Sequence, residues 1–283
     1  MVIGLVSPGA MGSALGASLA RSGHRVVATL HGRSARTREL AAEAPLELLD
    51  DLGAVVAASD ILISVVPPGQ AEAVAAAVAG VPLLVDLNAV SPMTIDRVAC
   101  AGAGSGTELV DGSISGPPPW RAGTTRIYLS GPRAGEVAAL GFDGVDVRVV
   151  GDRIGVASAV KMSTASVYKG TALLLIQALV AAQRNGVLDE VGDDLEASFP
   201  DLMDGIERYL ASSGAKAHRY VAEMREIAAT QGAAGLSPEV FEAIAGAYEQ
   251  IARSPAGGLT PERAAGAGSL AEVLARMPEQ FDS

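Results

Sequence analysis

Lysine is almost missing from this sequence: Lys161, Lys169 and Lys216 are the only three among 21 basic residues, and arginine supplies the rest. Cysteine occurs once, at Cys100, which excludes an internal disulfide framework and any cysteine-rich metal site. His24, His31 and His218 are too few and too scattered for a zinc cluster, so no metal is expected. Charged residues are only 19%, and the 32 acidic ones outnumber the basic ones to give a net charge of −11. Such a chain repels phosphate backbones, which argues against a nucleic-acid partner. Long hydrophobic runs are also lacking. The longest, Thr171 to Ala182, contains Gln177 and falls short of a bilayer span, so it reads as a buried helix. A strand-like run starts at Val2, with no charged leader or cleavage site before it. The expectation is a cytoplasmic protein with a small-molecule ligand and no membrane partner.

What is present is apolar: 49% of the residues, at a mean hydropathy of +0.32. The length of 283 residues suggests two domains. Short β-branched runs at Val2–Val6, Arg25–Leu30, Ile61–Val66, Leu83–Asp86, Glu108–Ile114, Arg126–Ser130 and Val145–Val150 alternate with helical stretches. Near-continuous apolar strands between helices predict a parallel sheet covered on both faces. From Gly155 onward the pattern is helical, beginning with one long helix to about Asn185. Further helical patterns lie near Leu195–Ser212, Ala215–Gln231, Pro238–Arg253 and Leu270–Arg276. Ser237-Pro238 and Thr260-Pro261 read as helix starts, with a capping hydroxyl before proline. The expected architecture is an α/β Rossmann-type domain over residues 1–153 followed by an all-α domain over residues 154–283.

The first strand runs into Ser7-Pro8-Gly9-Ala10-Met11-Gly12 and then a helix, the context of a dinucleotide fingerprint with Ser7 in place of its first glycine. A helix N-terminus there offers N–H groups and partial positive charge to a pyrophosphate. After the second strand, an NAD site presents an acidic residue to the ribose. Here the chain reads His31-Gly32-Arg33-Ser34-Ala35-Arg36-Thr37-Arg38. Guanidinium forks suit a 2′-phosphate, so NADP(H) is expected, with Arg33, Ser34 and Arg36 as its contacts. The strand-end loops holding Val66-Pro67 and Asn88 are candidates to line the nicotinamide. They read equally well as turn residues, and Asn88 and Ser91 as local caps.

On the long helix, Ser158, Lys161, Thr164 and Tyr168 share one face, Lys161 and Tyr168 being about 20° apart. The neighbouring Val156, Val160, Val167 and Leu174 are apolar, which suggests a cleft at the domain boundary. Hydride transfer at a carbonyl or alcohol carbon needs a proton donor or acceptor at the oxygen, and lysine, unlike arginine, can give up its proton. Lys161 is therefore a candidate acid/base; the alternative is a lysine snorkelling out of a half-exposed helix. Lys169 lies about 80° from Lys161 on the same helix. His218 and Glu223 could form a far wall.

These segments resemble the β-hydroxyacid dehydrogenase superfamily, which includes 3-hydroxyisobutyrate and 6-phosphogluconate dehydrogenases and, more distantly, imine reductases. Gly9-Ala10-Met11-Gly12 resembles its glycine-rich opening. Asp111-Gly112-Ser113-Ile114-Ser115-Gly116 resembles its substrate-binding segment, and Gly155 to Lys161 the start of its interdomain helix. The run from Ala157 to Met162, Tyr168 to Leu174, and Ala217-His218-Arg219-Tyr220-Val221-Ala222-Glu223-Met224 look typical of a less characterised branch with a 6-phosphogluconate-dehydrogenase-like helical domain.

The resemblance implies Lys161 as proton donor/acceptor, and Ser115 and Tyr168 are expected to assist it. The resemblance also implies substrate contacts at Ser115 and the Gly116 backbone, and a homodimer. Three departures stand out. Pro117 replaces a glycine and removes an N–H. Thr164 and Ala165 replace paired asparagines. The lysine that imine reductases generally replace is retained. Pro117, Trp120, Thr164, Lys169 and His218 complete the expected substrate wall, although Trp120 would serve equally well as cover for a domain seam. The function expected is an NADP(H)-dependent oxidoreductase acting on a C=O/CH–OH carbon of a small polar substrate. Reduction of a C=N bond and a non-catalytic NADPH sensor are the alternatives.

Overall fold

A computed structural model describes residues 1–281. They form two compact units, Met1–Met162 and a second that begins at Ser163. The division falls within a helix, later than the expected 153/154 boundary. The reason is that the first turns of that helix are hydrogen-bonded to the sheet, as described below.

The first unit runs β1 (Val2–Leu5), α1 (Ala10–Arg21), β2 (Arg25–Thr29), α2 (Ala35–Ala42), β3 (Glu47–Leu49), α3 (Leu52–Ala58) and β4 (Ile61–Ser64). It continues through α4 (Ala71–Ala77), β5 (Leu83–Asp86), α5 (Pro92–Ala103), β6 (Glu108–Ser115), β7 (Arg126–Ser130), α6 (Ala134–Ala138) and β8 (Asp146–Gly151). The strands make one sheet in the order β3-β2-β1-β4-β5-β6-β7-β8. Alternate residues explain its two covered faces. Ile3, Leu5, Val26, Ala28, Ile61, Ile63, Leu83 and Val85 pack with Leu15 and Leu19 of α1 on one side. Val27, Leu62 and Leu84 pack with Val55, Ala75, Ile95 and Val98 on the other. The short β3 was not apparent from the sequence.

One expectation is corrected: β6 and β7 are antiparallel, so the sheet is not wholly parallel. Residues 116–125 join them without a helix, and parallel pairing needs a crossover. β8 then pairs parallel to β7.

A single 30-residue helix, α7 (Val156–Asn185), passes from the first unit into the second. Its length and composition would suffice to cross a membrane, and 56% of its apolar window is buried within the protein. The dozen-residue apolar stretch seen in the sequence is only part of it, because alanine, serine and threonine extend the helix at low charge. Val167 and Leu174, apolar neighbours of the polar stripe on this helix, are 65% and 67% exposed.

The second unit adds α8 (Leu188–Ser198), α9 (Pro200–Met203), α10 (Ile206–Ala215), α11 (Ala217–Ala233), α12 (Glu239–Arg253), α13 (Pro261–Ala265) and α14 (Leu270–Leu274). The helical pattern expected over Leu195–Ser212 is broken twice. Pro200 cannot extend α8, and Gly205 adopts φ 68° before α10. Thr260 caps α13 as expected, whereas the cap position of α12 is Pro238 itself and Ser237 does not serve. The core of this unit centres on Leu210, Met224, Ile227, Tyr248 and Ile251. The Tyr248 hydroxyl donates to the Lys169 carbonyl at 2.8 Å.

Candidate active site

In a sheet of this order the strand sequence reverses beside β1, and ligands bind at the carboxyl ends of strands near such a reversal. The predicted cofactor residues gather there. Ser7 and Pro8 turn the chain from β1 into α1, whose N-cap is Gly9. At Gly12 an added Cβ would lie 2.0 Å from the Ser7 carbonyl oxygen, so the close approach of helix and turn requires glycine. Gly9 differs: its Cβ would meet nothing nearer than 3.9 Å, so the protein's own packing does not call for glycine there. The first turn of α1 has no acidic residue and no side-chain cap. An open cradle with uncapped N–H groups fits a pyrophosphate.

Arg33 lies back across this turn. Its Nη2 donates to the Val6 carbonyl at 2.7 Å, while its Nε is buried and has no hydrogen-bond partner among the described residues. Ser34 caps α2 by accepting from Thr37 N at 3.2 Å, and Arg36 is exposed in the first turn of that helix. Thus Arg33 is tied to the end of β1, and Ser34 and Arg36 stand at an adjacent helix start.

The next two strand ends are locked together. Asn88 Oδ1 accepts from Val66 N at 2.6 Å, and Asn88 Nδ2 donates to Ser64 Oγ at 3.1 Å and Asp86 Oδ2 at 2.7 Å. Asp86 also accepts from Asn88 N at 2.9 Å. Of the two readings for these loops, Ser91 proves to be a local cap, accepting from Thr94 N. Asn88 instead bridges β4 to β5. Pro67 is exposed just before a short 3₁₀ turn.

Asp86 is 1% exposed, and burial pushes its carboxyl up to about 7. The Asn88 hydrogen bonds oppose that rise, and Asp111, its register partner on β6, adds to it. Asp111 itself accepts from Ser130 Oγ at 2.8 Å, Gly155 N at 2.9 Å, Ser158 N at 3.1 Å and Ser158 Oγ at 2.6 Å. One carboxylate therefore caps α7 and pins it to β6 and β7. Beyond it, Lys161 Nζ donates to the Ile114 carbonyl at 2.7 Å, next to Ser115 and Gly116 at the end of β6. Gly116 adopts φ 112°, and an added Cβ there would lie 2.3 Å from Thr124 O. Pro117 accepts from Thr125 Oγ1 at 2.6 Å through its carbonyl, and Trp120 is 44% exposed.

The remaining predicted residues belong to the second unit. Thr164 and Tyr168 are exposed on α7, and His218 is exposed on α11. Lys169 is buried and ion-paired with Glu223. No group of three or more histidine, cysteine, aspartate or glutamate side chains suited to a metal occurs among the described residues. The roles of Asp86 and Ser130 were missed. The one available signal was an aspartate closing each apolar run, Leu83–Asp86 and Leu109–Asp111.

Comparison with known proteins gives a consistent picture. Residues 2–93 match the family model described as NADP oxidoreductase coenzyme F420-dependent, and residues 182–251 match a domain of unknown function, DUF1932. A 28.5 kDa protein encoded in the 7S RNA 5′ region of Methanothermus fervidus is 30% identical over 210 residues, 71% of this chain and 80% of that protein. The 3-hydroxyisobutyrate dehydrogenase of Pseudomonas aeruginosa is 33% identical over 150 residues, 47% of each chain. The solved structure of MTH1747, described as structurally similar to 3-hydroxyacid dehydrogenases, superimposes with a TM-score of 0.67 at 28% identity, over 89% of this chain and 97% of that one.

Proposed function

The chain belongs to the β-hydroxyacid dehydrogenase-like superfamily of NAD(P)-dependent oxidoreductases, and from that premise we propose that it is an NADP(H)-dependent dehydrogenase of a small polar hydroxy compound. The observation that carries this reading is the Lys161 ammonium held 2.7 Å from the Ile114 carbonyl, beside Ser115 at the end of β6. When bound, the nicotinamide accepts or supplies the hydride. The protein's part is to hold the cofactor and move the proton.

In this reading Ser7, Pro8, Gly9, Ala10, Met11 and Gly12 receive the pyrophosphate at the start of α1, and Val66, Pro67 and Asn88 line the nicotinamide side. Arg33, Ser34 and Arg36 take the 2′-phosphate; a guanidinium already oriented by the Val6 carbonyl is well placed to donate in pairs to phosphate oxygens. Ser115 and the Gly116 backbone hold the substrate oxygen. As the neutral amine Lys161 accepts the hydroxyl proton when the alcohol is oxidised, and as the ammonium it returns that proton in the reverse direction. Pro117 and Trp120 of the first unit are assigned to substrate recognition, as are, each on the second unit, Thr164, Tyr168, Lys169 and His218. The protein is assigned as a homodimer.

Titration with NADPH and with NADH, followed by nicotinamide fluorescence, tests the cofactor assignment. NADPH is expected to bind more tightly, with the preference lost in Arg33→Ala; tighter NADH binding in the parent protein overturns it. A panel of hydroxy acids and their oxo forms tests the reaction. Turnover of cyclic imines in place of these would overturn the C–O assignment.

A further inference from the structure

The second unit collects positive charge at one point. The Lys169 ammonium, buried on α7, pairs with the buried Glu223 carboxylate of α11 and lies 4.9 Å from the centroid of the Tyr220 ring. One turn before Glu223, the Arg219 guanidinium approaches the same carboxylate, with Nη2 3.8 Å from Oε1. Lys216, at the N-cap of α11, is half-buried and donates to Ser212 Oγ at 2.8 Å. Burial, Arg219 and Lys169 hold the Lys216 ammonium below the usual lysine range, and Glu223 offsets them only in part. Three cations from two helices therefore share one carboxylate.

The backbone compounds the excess. The first turn of the 17-residue α11 has no acidic residue, and its start has no side-chain cap. A helix N-terminus carries partial positive charge, so Arg219 in the first turn of α11 stands where a cation is disfavoured, whereas Lys216 also closes α10, where a cation is favoured. Partly desolvated like charges are costly without a counter-ion. A sequence that uses lysine only three times nonetheless spends two of them here.

We propose that the Lys216–Arg219–Lys169 cluster at the start of α11 binds the anionic group, phosphate or carboxylate, of a small molecule. Glu223 holds Lys169 in place and neutralises one charge, which leaves Lys216 and Arg219 to face the ligand. The Arg219 side chain, 61% exposed, provides the entry. Its planar fork takes two anion oxygens and the Lys216 ammonium a third. Lys169 is shared with the substrate-recognition assignment above, but the two readings are tested apart, since anion binding is measured without cofactor or turnover.

The scarcity of lysine makes the test direct. Reductive ¹³C-methylation of the full-length protein labels only three side-chain ammonium groups besides the N-terminus. Inorganic phosphate and succinate are titrated separately at ionic strength held constant with sodium chloride. A saturable shift of the Lys216 signal, assigned by its loss in Lys216→Arg, is expected, together with a rise of its titration midpoint. A response to phosphate alone marks a phosphate site, and a response to both anions a site that also takes carboxylates. By calorimetry, the double variant K216Q/R219Q is expected to bind the effective anion roughly tenfold or more weakly, the loss of at least one charge-assisted bond. Arg225→Gln, further along α11, should leave it unchanged. A Lys216 signal that does not saturate with either anion overturns the proposal, as does undiminished affinity in K216Q/R219Q. Should that variant fail to fold, the titration of the parent protein decides alone.

Discussion

Lys161 offers the cleanest separation of chemistry from binding. It stands on a helix that Asp111 fixes, and its side-chain nitrogen bonds a carbonyl at the end of β6. Lys161→Ala is expected to lower kcat by about 10²–10⁴-fold, the usual weight of a general acid/base, while NADPH affinity stays nearly unchanged. Steady-state kinetics and fluorescence titration check both, and an unaltered kcat would remove Lys161 from the reaction.

Asp86 supplies a pH prediction. Its folded value of about 7 exceeds the ordinary 3.8, so the folded state retains a proton that the unfolded state has lost across that window. This group therefore favours folding below pH 3.8, and its contribution declines as pH rises toward 7. In Asp86→Asn that decline should vanish from urea-unfolding free energies measured between pH 4 and pH 7.5; an identical pH slope in both proteins would contradict it. At this scale the sequence already exposed the lysine, the arginine cluster and the glycine turn, because each is an unusual residue type in a local context. The Asp86–Asp111 pairing was hidden, since it depends on the register of two strands separated by a whole helix.

Among the elements, α7 has its start decided by a carboxylate more than 40 residues upstream. Asp111 accepts from two of its first backbone N–H groups and from the hydroxyls of Ser158 and Ser130. Removing it leaves buried donors without a partner, each worth about 1–3 kcal/mol. Asp111→Ala should thus lose at least about 3 kcal/mol in chemical denaturation. Ser269→Ala, which removes an exposed capping box on α14, should lose only about 1 kcal/mol. Equal losses in the two variants would deny Asp111 its special place. Apart from β3, the strands of the first unit were readable as short apolar runs between helical stretches. The direction of β7 was not, since orientation is set by connection length rather than by composition. Likewise α8 to α10 merge into one pattern by apolar spacing, and only Pro200 and Gly205 divide them.

On the scale of the whole molecule, apolar surface remains uncovered on the helical unit. Val167, Tyr168 and Leu174 are exposed along α7, Phe199 follows α8, and α8 buries none of its residues. A soluble chain seldom leaves several large apolar side chains of neighbouring elements in water, so a second copy is the expected cover. Sedimentation equilibrium should give twice the 28.5 kDa chain mass, and Leu174→Glu should shift the population toward the single chain. A single-chain mass for the parent at every concentration would refute the dimer. The two-part architecture was legible from where strands cease; the placing of the division inside α7 was not, because it depends on the bonds that Asp111 makes.

The strand order also sets a timetable. β1 must wait for β4, about 60 residues later, before both of its edges are paired. After that, β5, β6, β7 and β8 each join an edge already in place, in the order in which the chain is made. Growth of the sheet can then keep pace with a ribosome, exposing one fresh edge at a time rather than several, and the interval most open to misassociation is the one before residue 64 has emerged.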